Sequence, residues 1–119
     1  MASGVLDNLG QLHTVTGVVA ADGESMTCND GSASIATVSA GKFTVTFGQA
    51  FLSAPTVVAS VVDATFSTDA ANGVSVVSVA TNTAQFQAWE AVTNGTETDI
   101  LNVATDLPVN FVAIGMRDN

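Results

Sequence analysis

Short apolar runs separated by turn dipeptides recur along almost the whole chain, and this punctuation constrains the fold more than any other feature. The run at residues 15–20 meets Asp22-Gly23, and the one at residues 24–28 meets Asp30-Gly31. The one at residues 32–39 meets Ala40-Gly41. Asp-Gly pairs tolerate the positive φ of tight hairpin turns, so runs this short, closed this way, are strands joined by hairpins. Lys42-Phe-Thr-Val-Thr-Phe47 alternates cleanly: Phe43, Val45 and Phe47 share one face, and Lys42, Thr44 and Thr46 the other. Pro55 ends that ladder, and the run at 56–62 follows. Residues 74–80 pair with 84–91 across Thr81-Asn82-Thr83, and valines at 74, 76, 77 and 79 break the alternation, which predicts a bulge. A polar stretch with Asn94-Gly95, a short run near Ile100 and Leu101, and a last strand over 109–116 complete the pattern.

No stretch sustains a 3.6-residue apolar period, so helix is not expected. The expected fold is all-β: a single antiparallel β-sandwich over residues 15–119, jelly-roll-like, with eight or nine short strands. Composition agrees, because the 47% apolar content comes mostly from Val and Ala, and β-branched residues suit a pleated sheet. Residues 1–14 carry Val5, Leu9 and Leu12 without alternation and read as an N-terminal arm that orders against a partner.

Charge narrows the partners. The net charge is −9, with Lys42 and Arg117 the only strong cations, so there is no basic patch for nucleic acid or an anionic membrane surface. No apolar run is long enough to span a bilayer as a helix, and the first residues lack the basic and apolar regions of a signal peptide. The chain is therefore expected to be made in the cytoplasm without a signal peptide.

Catalytic chemistry finds no foothold. His13 is the single histidine, no nucleophile motif accompanies it, and it reads as a surface or arm-packing residue. One His and one Cys, Cys28, cannot close a zinc site, and a lone Cys most often acts as a small apolar residue. Oxygen ligands occur at Asp22-Gly-Glu24, at Asn29-Asp30-Gly31 and at Asp63 and Asp69, without the spaced acidic loop of a calcium-binding hand. Asp-Gly in a β protein ordinarily makes a turn, and Asn94-Gly95-Thr96, although it matches a glycosylation sequon, reads the same way. The reading is of no enzyme, no metal and no cofactor.

Two runs point to assembly. Over 56–62 and 109–116 both side-chain sets are apolar: Val57 and Val61 against Val58 and Val62, and Val109 and Phe111 against Val112, Ile114 and Met116. An antiparallel sheet in a lone sandwich normally wets one face, so strands apolar on both faces are expected at a subunit contact. Val57, Val61, Phe111, Val112, Ile114 and Met116 are the candidates, with Trp89 a further anchor. Alternation sets Trp89 opposite Phe86 and alongside Gln85 and Gln87, and that trio could equally contact a ligand, or Trp89 could pack under a loop.

The segments Gly17-Val-Val-Ala-Ala-Asp-Gly23, Ser32-Ala-Ser-Ile35 and Gly41-Lys-Phe-Thr-Val-Thr-Phe47, with Phe51, Ala54-Pro55, Val57 and Asn110-Phe-Val-Ala-Ile-Gly115, resemble a module of tailed-phage virion proteins. The Phe51 to Val57 segment and the final Ala-Ile-Gly strand are also similar to the H-type lectin domain, a trimeric β-sandwich that binds sugars. The resemblance covers about residues 17–116 and rests on short, apolar motifs. It implies a homo-oligomer, a trimer, on the surface of a virion. Such a trimer would be a capsid decoration or cement protein contacting the major capsid protein. The alternatives are a receptor-binding knob of a head or tail fibre reading host glycan through Trp89 and the loops at 63–72 and 92–98, or a free lectin-like protein. No equivalent of the lectins' His-and-Arg set is evident: His13 lies outside the matching region and Arg117 at its very end.

Overall fold

The computed structural model describes residues 10–62, 71–93 and 100–118. The chain is an antiparallel β-sandwich of two sheets, and among the described residues there is no helix. The strands are β1 (Gln11–Val19), β2 (Met26–Cys28), β3 (Ser34–Ser39), β4 (Lys42–Thr46), β5 (Thr56–Val61), β6 (Ala71–Val79), β7 (Thr83–Thr93), β8 (Ile100–Ala104) and β9 (Val109–Arg117). The first sheet, called A, has the order β2-β1-β9-β5, so the first and last strands lie side by side at its centre. The second, B, has the order β3-β4-β7-β6. β4 takes residues 83–87 of β7 and β8 takes residues 89–93, end to end along the same edge of that long strand.

The turns fall where the sequence puts them. Asp22-Gly23 closes the β1–β2 hairpin: Gly23 has φ 71°, and the Asp22 carboxylate accepts the N–H groups of Glu24 and Ser25. The expected bulge lies in β6, where the register to β7 slips between Val76 and Ser78. At the β3–β4 turn Gly41 has φ +69°, and a Cβ there would lie 2.5 Å from the carbonyl oxygens of both Ala88 and Thr105. Only glycine meets both demands.

The core follows the alternation. Phe43, Val45 and Phe47 are buried as one face of β4 and its exit, opposite Ala84, Phe86 and Ala88 of β7 and Val15, Val19, Val109, Phe111 and Ala113 of sheet A. Phe43 stacks on Phe86 at 5.2 Å between centroids, and Phe86 meets Phe111 at 5.4 Å, so one chain of rings joins the two sheets.

One boundary differs from expectation. β1 begins at Gln11, and Gln11 to Thr14 pair with Arg117 to Ile114 of β9, so residues 11–14 are strand and not arm. The alternation was hidden because Leu12 lies on the outer face, 68% exposed, while the half-buried His13 takes the inward position. The remainder of the expected arm, residues 1–9, lies outside the described residues. So do residues 63–70 and 94–99, which hold most of both loops expected to read glycan, the Asp63 and Asp69 oxygens, and the Asn94-Gly95-Thr96 turn.

Candidate functional site

The outer face of sheet A is built in rows by the strand register. Leu12 stands opposite Met116; then come Thr14, Ile114 and Thr56, then Thr16, Val112 and Val58, then Val18, Asn110 and Ser60. Apart from half-buried Val112 these side chains are exposed, and not one is charged in a chain whose net charge is −9. Leu12, Met116, Ile114, Val112 and Val58 form an apolar diagonal across the three strands, with Val58 59% and Ile114 41% exposed. Water on such a face is displaced favourably by any apolar surface that fits it, at about 25 cal/mol per Å². Over the β5–β9 pair lies an open cavity of about 220 Å³, lined by Val58, Ala59, Ser60, Asn110, Phe111 and Val112.

The register divides the seven interface candidates. Val112, Ile114 and Met116 lie on this outer face. Phe111 does not: it is 2% exposed, against Phe86, inside the chain's own core. Val57 and Val61 are half-buried and pack against that same core. Apolar residues on both faces of a strand do not reveal which set turns inward; Phe111 turns inward because its ring completes the aromatic stack, and this sends Val112 out. The register to β9 then sends Val58 out and Val57 in.

Trp89 sits on sheet B, paired with Gly73 of β6 and Ala104 of β8. It is half-buried, and a Cβ on Gly73 would come within 2.3 Å of its ring, so the indole lies across the bare glycine backbone. This covers a position in the strand that would otherwise lack side-chain packing. Gln85 donates to the Thr44 hydroxyl at 3.3 Å, and the Gln87 amide donates to the carbonyls of Ala88 at 2.8 Å and Ala40 at 3.2 Å. The three residues share a face, with the NH₂ groups of both glutamines engaged by the chain itself.

A polar cluster was missed by sequence reading. His13, Thr14, Asn29, Asp30, Gly31 and Arg117 line a cavity of about 280 Å³ at one end of the sandwich. The His and the Arg that seemed unrelated in sequence therefore share a cavity. Arg117 is 7% exposed; its Nη2 donates to Asp30 Oδ2 at 3.4 Å, its guanidinium lies 4.6 Å over the Phe51 ring, and its Nε is buried with no hydrogen-bond partner among the described residues. Asp30 also accepts the N–H of Ser32 at 3.1 Å and of Gly48 at 2.9 Å. Burial works to raise the Asp30 carboxyl, but the N–H donors of Gly48 and Ser32 and the Arg117 guanidinium outweigh it and hold it below its ordinary value. Asn29 beside it spans β1, donating to the Thr14 carbonyl and accepting the Thr16 N–H. The cluster pins the β2–β3 turn, the chain after β4 and the end of β9 together. The partners stand up to 87 residues apart, so no local motif announces them.

The Asp22 carboxyl is also held low, chiefly by the Glu24 and Ser25 N–H groups, as a turn carboxylate should be. Cys28 is half-buried and packs against the core, and among the described residues no three His, Cys, Asp or Glu side chains gather as a metal site.

No family model, curated protein or solved structure matches the chain. The likeness to phage virion modules and H-type lectins rests on the sequence motifs alone.

Proposed function

We propose that this chain is a non-enzymatic structural subunit of a bacteriophage virion, a homotrimer that decorates or cements the capsid surface by contact with the major capsid protein. The observation that carries the reading is the outer face of sheet A, apolar along its diagonal and free of charge in a strongly acidic chain. A lone sandwich gains nothing from such a face, whereas a subunit of a closed assembly buries it. The resemblance of its short sequence motifs to those of phage virion modules supplies the setting, and synthesis in the host cytoplasm fits a particle component. Reconstruction of the virion tests it. Density for the chain in symmetric groups of three on the capsid surface is the expected result; its location elsewhere on the particle, or its absence from it, would overturn the reading.

A second reading has its own observation. Trp89 is a half-buried aromatic on the opposite outer face, beside Gln85 and Gln87. Its ring, with the amide oxygens of those glutamines, whose NH₂ groups the chain engages, suits a host surface glycan. In that case the chain is the receptor-binding knob of a head or tail fibre, or a lectin-like carbohydrate-binding protein. A glycan array with hits that vanish on Trp89→Ala supports this reading, and an array without hits removes it.

A further inference from the structure

The outer face of sheet A carries two unlike features. At one end Leu12 and Met116, opposite one another on β1 and β9, form an exposed apolar ridge. At the other end Val58 and Val112 border the open cavity over β5 and β9. The two features are four residues apart along β9, about 13 Å at the rise of an antiparallel strand. We infer that the ridge of one copy seats in the cavity of another, so that Leu12 and Met116 of one chain pack on Val58 and Val112 of its neighbour. This rests on the self-assembly reading above and names the surface through which it works.

Two arguments choose a second copy as the occupant. The first is charge: two chains at −9 repel wherever carboxylates meet, and an equally acidic partner is the one for which an uncharged face matters most. A basic partner would be drawn to the acidic surface instead. The second is placement, because the exposed apolar pair and the open cavity lie on one face, four residues of β9 apart. The cavity of about 220 Å³ has room for several waters at about 30 Å³ each, and aliphatic side chains entering it would release them from walls that are mostly apolar. A contact between unlike patches is heterologous: repeated head to tail, with a rotation of one third of a turn it forms the closed ring of three proposed above.

The test is a pair of engineered cysteines, Leu12→Cys with Val58→Cys, in a Cys28→Ser background. Within one chain these positions are separated by four residues of register as well as by β9, well beyond the about 7 Å Cα separation a disulfide allows, so a bond between them must join two copies. The expected result is oxidation to a species that migrates as three chains under denaturing, non-reducing conditions. Val58→Glu should weaken assembly at least 100-fold by sedimentation, and Val58→Ser, milder at this exposed position, should weaken it several-fold with the circular dichroism spectrum unchanged. An assembled protein that forms no cross-link and ignores both Val58 substitutions overturns this contact while leaving self-assembly standing. A wild-type chain that stays monomeric at micromolar concentration overturns both.

Discussion

The two outer faces of the sandwich obey the same alternation and differ at their centres, over β1, β9 and β5 in one sheet and β4 and β7 in the other. Sheet B presents half-buried Lys42, Thr44, Gln85, Gln87 and Trp89 on its central strands, with exposed Val38, Val77 and Val103 confined to the flanking β3, β6 and β8. Sheet A presents Leu12, Met116, Ile114, Val112 and Val58 in a setting of threonine and serine, without a charge. Both sheets contribute apolar inner faces to one core, joined in sheet A by His13 and Arg117 at one end, so the core does not require the difference. It teaches that an outer face has to be read separately from the fold: the inner faces make the sandwich, and the composition of the outer face of A is free to serve assembly.

The largest effect lies in the core, which both faces share. Phe86→Ala removes the ring that joins Phe43 to Phe111 and should cost about 3–5 kcal/mol in chemical denaturation, loosening both sheets alike. A loss confined to one sheet by hydrogen exchange would break the picture of a common core. Next comes the direct contrast. Val58→Glu should weaken assembly by about 3 kcal/mol, the order of an uncompensated charge buried at a contact, whereas Thr46→Glu, exposed on β4, should leave it unchanged. Equal effects at the two sites would erase the distinction between the faces.

The polar end of the sandwich should respond somewhat less. Asp30→Asn leaves Arg117 buried without its carboxylate, and since Asp30 keeps some exposure the cost should be about 2 kcal/mol. The sign with pH follows from the low carboxyl value. The ionised Asp30 contributes stability above the unfolded value near 3.8, and that stability is lost as pH falls through the still lower folded value. Denaturation midpoints measured between pH 6 and pH 2 should show this acid-side loss in the wild type and a shallower one in Asp30→Asn. The smallest effect belongs to Trp89→Ala, which uncovers the backbone at Gly73 and should cost about 1–2 kcal/mol with no change in assembly. A change in oligomer mass would move Trp89 into the subunit contact.

Most of the fold was legible because it depends on neighbours in sequence. The alternation at Phe43, Val45 and Phe47, the Asp22-Gly23 turn and the bulge among the valines of β6 are local signals, and each appears in the structure. The start of β1 was not legible, since an exposed Leu12 and an inward His13 invert the usual pattern. The inward set of β5 and β9 was equally hidden: Val57 and Val58, or Phe111 and Val112, look alike until the aromatic stack fixes which one turns in. The cluster of His13, Asp30 and Arg117 depends on pairing the first strand with the last, and a lone arginine near the end of a chain reads as a surface charge.

The central claim is that the uncharged face of sheet A joins copies of this chain, and sedimentation velocity at micromolar concentration tests it most directly. The wild type should sediment at three times its 12.0 kDa chain mass, and Val58→Glu should return it to one. A wild-type protein that sediments as a single 12.0 kDa chain would contradict the account.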